Sequence, residues 1–427
     1  MTSDNRRTIA RALAVVLSAA LAVIIGRAIG PQGRGLYVLP GMLAVLGAVA
    51  FSGLKTGISR TMQQTGERKA AVHAAFLCCL PLGAIAGLGM MVVATILNQL
   101  WAVPYALAAM PFAAMNAIAS GYGYGLRNVR IPNIVNTAVP AVTIVLVLSA
   151  FWIHGAATSM AIAMWLLAYV LTGTVSLAFV LAQIRAEPSG YIDFPRFLSH
   201  ALRLSGLHVV QLLNYRVDLY IVALLTSVTM LGVYGVAVSG AEAMLAVLAA
   251  ISLVSQPRIG EAARDVEARR LAKWLRNSVV ISTAACAAAV LAAPYAVTLL
   301  FGREFSDAIF PLQILLAGIA AVAMGSAVTN YYRIVTGKPH VPFLAQATST
   351  VTCAALSYSL VPSLGIVGAA VAATCSYVLS LCAALIWYAY EARVPAPSAA
   401  GEGKADLRTL LATSTNLWSE GNALELR

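Results

Sequence analysis

The sequence predicts an all-α integral membrane protein with about twelve transmembrane helices. The 427-residue chain is 60% hydrophobic and 10% charged, and its mean hydropathy is +0.83, whereas a soluble domain carries about 25% charged residues. About a dozen apolar stretches reach the roughly 20 residues that a helix needs to cross a bilayer. The Lys and Arg residues lie at or beyond alternate ends of these stretches, as cytoplasmic loops require, with four exceptions: Arg27, Arg34, Arg216 and Arg303.

The predicted spans form two sets of six. The first set covers residues 8–30, 36–54, 70–97, 103–125, 131–153 and 156–184. The second set covers residues 200–226, 230–256, 273–301, 307–332, 341–361 and 365–390. Every span must be helical, because hydrocarbon cannot satisfy the backbone hydrogen bonds of an open strand. Prolines inside several spans predict bends, at Pro40, Pro81, Pro111, Pro140, Pro294 and Pro311.

The charge distribution also predicts the orientation of the chain. Arg6, Arg7 and Arg11 at the start, and the tail from Arg393 onward, fall on the positively charged side, so we expect both termini in the cytoplasm. The formal net charge of +12 follows largely from this bias. It fits a membrane with an anionic cytoplasmic face and argues for no nucleic-acid partner.

The widest predicted cytoplasmic loop between spans divides the chain into two lobes. We expect an N-terminal lobe at residues 1–184 and a C-terminal lobe at residues 200–391, joined by a polar linker at residues 185–199 that contains two prolines. Residues 392–427 have the composition of a disordered cytoplasmic tail.

Short sequence matches indicate that the two lobes are repeats. Gly-Leu-Tyr begins at Gly35 and opens span two, and Gly-Val-Tyr begins at Gly232 and opens span eight. Each is followed by Met-Leu-Ala-Val. Since each lobe has an even number of spans, the repeat is of the parallel kind, related by an axis along the membrane normal.

Three ionisable residues in mid-membrane are the main functional candidates, because such groups are costly there. Span seven contains Arg216 and Asp218, and span eight contains Glu242. In one interpretation, the polar face of span seven packs on its neighbours and a carboxylate neutralises Arg216. In the other, a water-filled cavity holds an anionic group on Arg216, while Asp218 or Glu242 balances charge or binds a coupling cation.

One stripe of span seven carries five polar residues at helical spacing, whereas Arg216 projects about 140° from its centre. The stripe consists of His208, Gln211, Asn214, Tyr215 and Asp218. Asn214 and Tyr215 are therefore further candidates for lining a cavity.

Arg27 and Arg34 flank a glycine-rich turn at the predicted outer end of span one, where positive charge is disfavoured. One interpretation is that they attract a phosphate or an acidic sugar. The other is that they cap carbonyl groups at a helix end or contact lipid phosphates. The sequence leaves both open.

Several motifs of enzymes are absent from the sequence. No Walker motif G-x-x-x-x-G-K-[ST] occurs, no cluster of His, Cys and carboxylates has metal-binding spacing, and all six cysteines lie in apolar runs. No catalytic residue, metal or resident cofactor is therefore predicted. The predicted outer loops are short and nearly uncharged, which disfavours a membrane glycan polymerase or ligase.

Four blocks of the sequence resemble the Wzx-like polysaccharide-transport flippases of the multidrug/oligosaccharidyl-lipid/polysaccharide (MOP) exporter superfamily. Gly26–Tyr37 reads GRAIGPQGRGLY, Asn214–Asp218 reads NYRVD, and Leu299–Phe305 reads LLFGREF. The fourth block runs from Gly337 to the stretch VPSLGIVGAA at Val361–Ala370. The blocks follow the family's order over nearly the whole chain.

The resemblance implies two MATE-like six-helix lobes around a positively lined cavity that opens alternately to either side. It implies a flippase in the bacterial inner membrane that exports an undecaprenyl-diphosphate-linked oligosaccharide for exopolysaccharide, capsule or O-antigen synthesis, alongside a polysaccharide polymerase. Carried over by position, Arg27, Arg34, Arg216 and Asp218 lie on or near the cavity, with Na+ or H+ as candidate coupling ions. The alternatives are a cation-coupled multidrug exporter of the same fold and, from another class, a glycan polymerase or ligase.

Overall fold

The computed structural model describes most of the chain, at residues 3–188, 190–255, 264–334 and 340–393. Among the described residues, one compact unit extends to residue 384 and a second begins at residue 385. The predicted tail from residue 394 onward lies outside the described residues, and so does Gly337, where the fourth sequence block begins.

Twelve α-helices account for nearly all of the described residues, which contain no strand. The N-terminal half contains α1 (Ser3–Val49), α2 (Ser52–Thr65), α3 (Arg68–Ile96), α4 (Val103–Gly125), α5 (Arg130–His154) and α6 (Thr158–Ile184). The C-terminal half contains α7 (Phe194–Leu225), α8 (Val228–Ser255), α9 (Arg264–Leu300), α10 (Ile309–Ile334), α11 (His340–Leu364) and α12 (Ile366–Arg393). Short 3₁₀ helices precede α4 and α10, at Leu100–Ala102 and Arg303–Ala308.

Helix α1 contains two predicted spans, which Gly30 separates. Gly30 has φ 69° and ψ −177°, a conformation that glycine adopts far more readily than other residues. The chain folds back there, because Ser18 and Ala48 line the same cavity, whereas a straight helix would hold them about 45 Å apart. The break agrees with the predicted boundary between residues 8–30 and 36–54.

Nine stretches of the described chain are helical, long and apolar enough to cross a membrane. The first, Leu13–Thr65, includes the Gly30 break and so contains two of the predicted spans. Helices α7 and α11 are not among the nine, because α7 carries the polar stripe and α11 is rich in Ser and Thr. The protein is an all-α, multi-pass membrane protein, and the predicted fold class is confirmed.

Helix α2 continues further than the sequence predicted. Span two was expected to end at residue 54, with Lys55 in a cytoplasmic loop, but α2 runs to Thr65 and ends at Gly66, which has φ 75°. The helix persists because Leu54, Ile58 and Met62 recur at helical spacing and are buried. Because polar residues lie between these three, the sequence shows no continuous apolar stretch here.

The two halves touch closely at the Gly30 end of the bundle, where α1 packs on α8. A Cβ atom on Gly35 would collide with the carbonyl oxygen of Val228. A Cβ atom on Gly232 would collide with the carbonyl oxygen of Pro31 and lie 2.8 Å from the Gly35 nitrogen. Small residues allow such close approach of helix backbones in membrane proteins, so the two repeat-related glycines form one contact between the halves.

At the opposite end of the bundle, α2 packs on α7. Ser205 Oγ donates to the carbonyl oxygen of Ala50 at 2.6 Å and accepts from the Gly53 nitrogen at 3.2 Å. A Cβ atom on Gly53 would collide with the carbonyl oxygen of Ala201. The halves are therefore in contact at both ends of the bundle.

The segment between α6 and α7 includes most of the predicted linker. Asp193 precedes α7, and its side chain accepts a hydrogen bond from the Arg196 backbone nitrogen at 3.2 Å, which is the contact expected of a helix N-cap. Helix α7 thus begins at Phe194, six residues before the predicted span. The division into lobes at this linker stays a prediction.

Candidate functional site

A cavity of about 360 Å³, lined by both apolar and polar side chains, lies between the two halves. Its wall is formed by α7, α8, α10, α12 and the junction of α1 with α2. We call it the interlobe cavity. Its volume falls in the range of small-molecule sites, roughly 300–1,000 Å³. Its polar and ionisable side chains include His208, Gln211, Tyr215, Arg216, Asp218 and Glu242.

Arg216 of α7 and Glu242 of α8 form an ion pair on the wall of this cavity. Arg216 Nη2 lies 2.7 Å from Glu242 Oε1, and the two side chains are 28% and 43% exposed. Pairing lowers the cost of holding each charge inside a membrane protein. Because both side chains face the cavity, the pair can open toward a ligand without leaving a fully buried ion behind.

Asp218, two residues further along α7, is in a different environment. It is 2% exposed, and its Oδ2 accepts a short 2.5 Å hydrogen bond from the Tyr234 hydroxyl of α8. Its Oδ1 has no hydrogen-bond partner in the described part of the chain. A buried carboxylate with an open acceptor is stabilised when it takes up a proton or a cation, so Asp218 is suited to bind one.

A wider arc of α7 lines the cavity than the predicted stripe covers. The lining includes four stripe residues, His208, Gln211, Tyr215 and Asp218. Arg216 also lines the cavity, although helical spacing placed this residue away from the stripe. A long side chain at the edge of the arc can bend toward the cavity and its partner on α8. The sequence alone could not show which side chains of α8 face this arc of α7.

Asn214 is the stripe residue that does not line the interlobe cavity. It is 6% exposed, and its Oδ1 accepts a 3.4 Å hydrogen bond from Thr350 Oγ1 of α11. This contact joins α7 to α11 within the C-terminal half, so the structure places Asn214 behind the cavity wall.

Arg34 lies outside the interlobe cavity and is 3% exposed. Its guanidinium donates to the carbonyl oxygens of Ala22, at 2.5 Å, and Gly235, at 3.1 Å, and to Ser239 Oγ at 3.1 Å. The guanidinium carbon also lies 5.2 Å from the centre of the Phe301 ring. These contacts join both arms of α1 to α8, and to Phe301 just after α9, beside the Gly35 contact.

Arg27 is exposed at the Gly30 end of the bundle. Its Nη1 donates to the carbonyl oxygen of Leu299 at 2.9 Å. Leu299 lies in the last turn of α9, where the backbone carbonyls have no partner within the helix. The structure therefore places Arg27 at a helix end, apart from Arg216.

Sequence reasoning missed Tyr234 as a partner of Asp218. A usable signal was present, because α7 and α8 are joined by two residues, Thr226 and Ser227. In a tight helical hairpin, residues at similar distances on either side of the turn lie at the same depth. Asp218 and Tyr234 satisfy that condition. In the sequence, Tyr234 stands out only as part of the repeated Gly-x-Tyr pattern.

The described chain is thus a bundle of membrane helices whose two halves are in contact at both ends, with a cavity that carries ionisable groups between them. The chain belongs to the polysaccharide biosynthesis protein family, whose sequence profile matches residues 24–310. No curated protein matches the sequence.

Solved structures of the MOP superfamily share this fold. The inward closed conformation of the lipid II flippase MurJ matches 90% of this chain and 87% of its own, with a TM-score of 0.72 and 14% identity. An inward-facing MATE multidrug resistance transporter matches 88% of this chain and 94% of its own, with a TM-score of 0.68 and 17% identity.

A third structure is a MOP superfamily transporter from Pyrococcus furiosus Vc1 (DSM3638) with a binding pocket of reversed polarity. It matches 90% of this chain and 94% of its own, with a TM-score of 0.59 and 15% identity. The protein thus has a MOP-type fold, and the solved structures that share it are a flippase and transporters.

Proposed function

We propose that the protein is a flippase for an undecaprenyl-diphosphate-linked oligosaccharide or polysaccharide repeat unit. It moves this substrate from the cytoplasmic to the periplasmic leaflet for exopolysaccharide, capsule or O-antigen synthesis. The observation that carries the proposal is the Arg216–Glu242 ion pair, which faces a cavity between the two halves of a member of a polysaccharide biosynthesis family.

The physical argument concerns the charge of the substrate. A diphosphate and its sugars are strongly hydrated, so their transfer through hydrocarbon needs a polar route with a fixed positive charge. Arg216 supplies a planar guanidinium that can bind phosphate oxygens in pairs. The substrate anion displaces Glu242 from Arg216, and the polyprenyl tail stays in the lipid.

Movement across the membrane follows from the contacts at the two ends of the cavity. The Gly35–Gly232 contact joins the halves at the Gly30 end, and the Gly53–Ser205 contact joins them at the other end. Separation at one end while the other remains packed exposes the cavity to one side at a time. Rocking of the halves is the alternating access that a flippase requires.

The proposal includes a location and partners. An undecaprenyl-linked substrate places the protein in the bacterial inner membrane, and the charge distribution supports both termini in the cytoplasm. Its partners are the lipid-linked oligosaccharide, membrane lipids and a polysaccharide polymerase that uses the exported unit.

Cation-coupled multidrug export is the second candidate function. Asp218 favours it, because a buried carboxylate with one open oxygen is suited to carry H+ or Na+. We propose the same residue, with Glu242, for ion coupling in the flippase, so the two candidates differ in substrate rather than in energy source.

Cells that lack the protein distinguish these functions. For the flippase, single lipid-linked repeat units accumulate on the cytoplasmic leaflet and disappear when the gene is restored. Drug sensitivity without such accumulation would indicate the exporter. Unpolymerised units on the periplasmic leaflet would contradict both transport functions and indicate a step after translocation.

A further inference from the structure

A second cavity, of about 350 Å³, lies within the N-terminal half, between α1, α2, α4, α5 and α6. We call it the N-terminal cavity. Its lining includes a cation, two side-chain amides and three large aromatic side chains. These residues are Lys55, Asn116, Asn136, Tyr37, Trp165 and Tyr169.

The two cavities differ in their charge. Among the described residues that line the N-terminal cavity, Lys55 is the only Lys, Arg, Asp or Glu. The interlobe cavity has Arg216 together with Asp218 and Glu242, so its fixed charges sum to zero or below. A second anionic group of a bound substrate is therefore favoured in the N-terminal cavity.

Lys55 is held in place but lacks a counter-ion. The described ion pairs are Arg68–Glu187 and Arg216–Glu242, and neither involves Lys55. Its backbone packs on α4, since a Cβ atom on Gly121 would lie 2.9 Å from the Lys55 Cα. An unpaired ammonium in a membrane-spanning bundle is costly, and an anionic ligand in the cavity would offset that cost.

The other lining residues are of the types that bind sugars. Trp165 and Tyr169 contact each other edge to face, with ring centres 5.2 Å apart, and aromatic side chains of this kind combine an apolar surface with a polar atom. Asn136 is exposed on the wall, and its amide can both donate and accept hydrogen bonds from hydroxyl groups. The cavity thus combines an anion-binding group with a sugar-binding surface.

The N-terminal and interlobe cavities share one segment of chain. Ala48 and Lys55 line the N-terminal cavity, whereas Val49 and Ser52 line the interlobe cavity. The segment includes the junction between α1 and α2, which Ser205 of α7 holds by two hydrogen bonds. A ligand on Lys55 therefore lies on the opposite face of the segment that borders Arg216.

We propose that the N-terminal cavity is a second binding site, in which Lys55 binds an oxyanion attached to a sugar. The oxyanion is a phosphate of the lipid carrier or the carboxylate of an acidic sugar, and the aromatic and amide groups hold the adjoining sugar. This inference rests on the proposed function, because it assigns part of the same substrate to this cavity.

Binding to the purified full-length protein in lipid nanodiscs tests the inference. The probes are farnesyl diphosphate, for the carrier phosphate, and glucuronic acid, for an acidic sugar, and calorimetry measures their affinities. Lys55→Gln is expected to weaken the affinity for one or both probes by about tenfold or more, because it removes a charged hydrogen bond. If only the affinity for farnesyl diphosphate falls, Lys55 binds the carrier phosphate. If only the affinity for glucuronic acid falls, Lys55 binds the carboxylate of an acidic sugar.

Two further variants make the test specific. Lys55→Arg retains the charge and is expected to restore binding. Lys69→Gln removes a lysine that contacts the Glu187 carbonyl oxygen outside the cavity and is expected to bind like the wild type. If Lys55→Gln does not fold, Asn136→Asp places a carboxylate on the exposed wall and is expected to weaken binding instead.

Unchanged affinity for both probes in Lys55→Gln, or in Asn136→Asp where that variant replaces it, would overturn the inference. Equal weakening by Lys69→Gln would overturn it too. A transport assay separates this failure from failure of the proposed function. Wild-type transport of a lipid-linked glycan combined with unchanged probe binding rejects the second site alone, whereas absence of wild-type transport rejects the flippase.

Discussion

Gly35 and Gly232, which occupy matching positions in the two sequence repeats, pack against each other between the halves of the molecule. A Cβ atom on Gly232 would lie 2.8 Å from the Gly35 nitrogen and collide with the Pro31 carbonyl oxygen. The contact therefore depends on the absence of side chains at both positions. It joins α1 to α8 at the Gly30 end of the bundle in this conformation.

A large residue at Gly232 is expected to hold that end open. In a background without the native cysteines, Ser239→Cys on α8 provides a site for labelling by a membrane-impermeant maleimide. Gly232→Leu is expected to increase labelling, because α1 and α8 can no longer approach. Gly41→Leu is the control, since a Cβ atom at Gly41 meets nothing within 4 Å. Equal labelling in the two leucine variants would show that the glycine contact does not close the cavity.

Removal of the guanidinium at position 216 is expected to abolish most transport. Arg216→Ala removes the cation that binds the substrate anion, so export is expected to fall by about tenfold or more at equal protein levels. Arg216→Lys is expected to retain part of the activity, because it keeps the charge without the planar fork. Arg303→Ala changes an exposed arginine outside the cavity and is expected to export normally.

Export of lipid-linked repeat units, followed by extraction and separation of the two leaflet pools, measures these rates. Wild-type export by Arg216→Ala would remove this residue from the mechanism. Equal loss in Arg303→Ala would mean that any change of charge impairs the protein, and the role of the cavity would then lack support.

Arg34 is expected to contribute to stability. Arg34→Ala removes the guanidinium that donates to Ala22, Gly235 and Ser239 and joins the two arms of α1 to α8. Hydrogen bonds of a charged group contribute about 1.5–3 kcal/mol to stability, so the free energy of unfolding is expected to fall by about 2 kcal/mol. Unfolding of the purified variant in detergent, followed by circular dichroism, measures the free energy. Arg27→Ala, which removes an exposed contact, is expected to change it little, and a similar effect of the two substitutions would contradict the structural role of Arg34.

Asp218→Asn tests ion coupling. Asparagine retains an oxygen that accepts from Tyr234 but cannot gain or lose a proton as the carboxyl group does. We expect transport by the variant to lose its dependence on an imposed H+ or Na+ gradient while the protein remains folded. Tyr234→Phe removes the donor and keeps the carboxyl group, so it is expected to retain gradient dependence. Equal stimulation of wild type and Asp218→Asn by either gradient would exclude Asp218 as the coupling residue.

The sequence predicted the helical architecture well, because hydropathy and charge act along the chain and do not require knowledge of contacts. The break at Gly30 and the bounds of α4, Val103–Gly125, agree with the predicted spans. The end of α2 was predicted too early, since the polar residues around Lys55 looked like a loop. A membrane helix that lines a polar cavity need not be apolar on that side.

The arrangement of the site was less predictable, because it depends on which faces of different helices meet. The sequence identified Arg216, Asp218 and Glu242 as candidates, but their pairing required the packing of α7 on α8. Helical spacing cannot show that Asn214 turns toward α11. The roles of these residues in transport stay predictions.

Transfer of the glycan between leaflets by the purified protein is the most direct measurement of the central claim. Liposomes contain the protein and an undecaprenyl-diphosphate-linked oligosaccharide with a fluorescent label, and an added glycosidase digests only the glycan on the outer leaflet. The wild type is predicted to expose the inner pool to digestion, whereas Arg216→Ala leaves that pool protected as in liposomes without protein. A protected inner pool with the wild type, or full digestion with Arg216→Ala, would contradict the account.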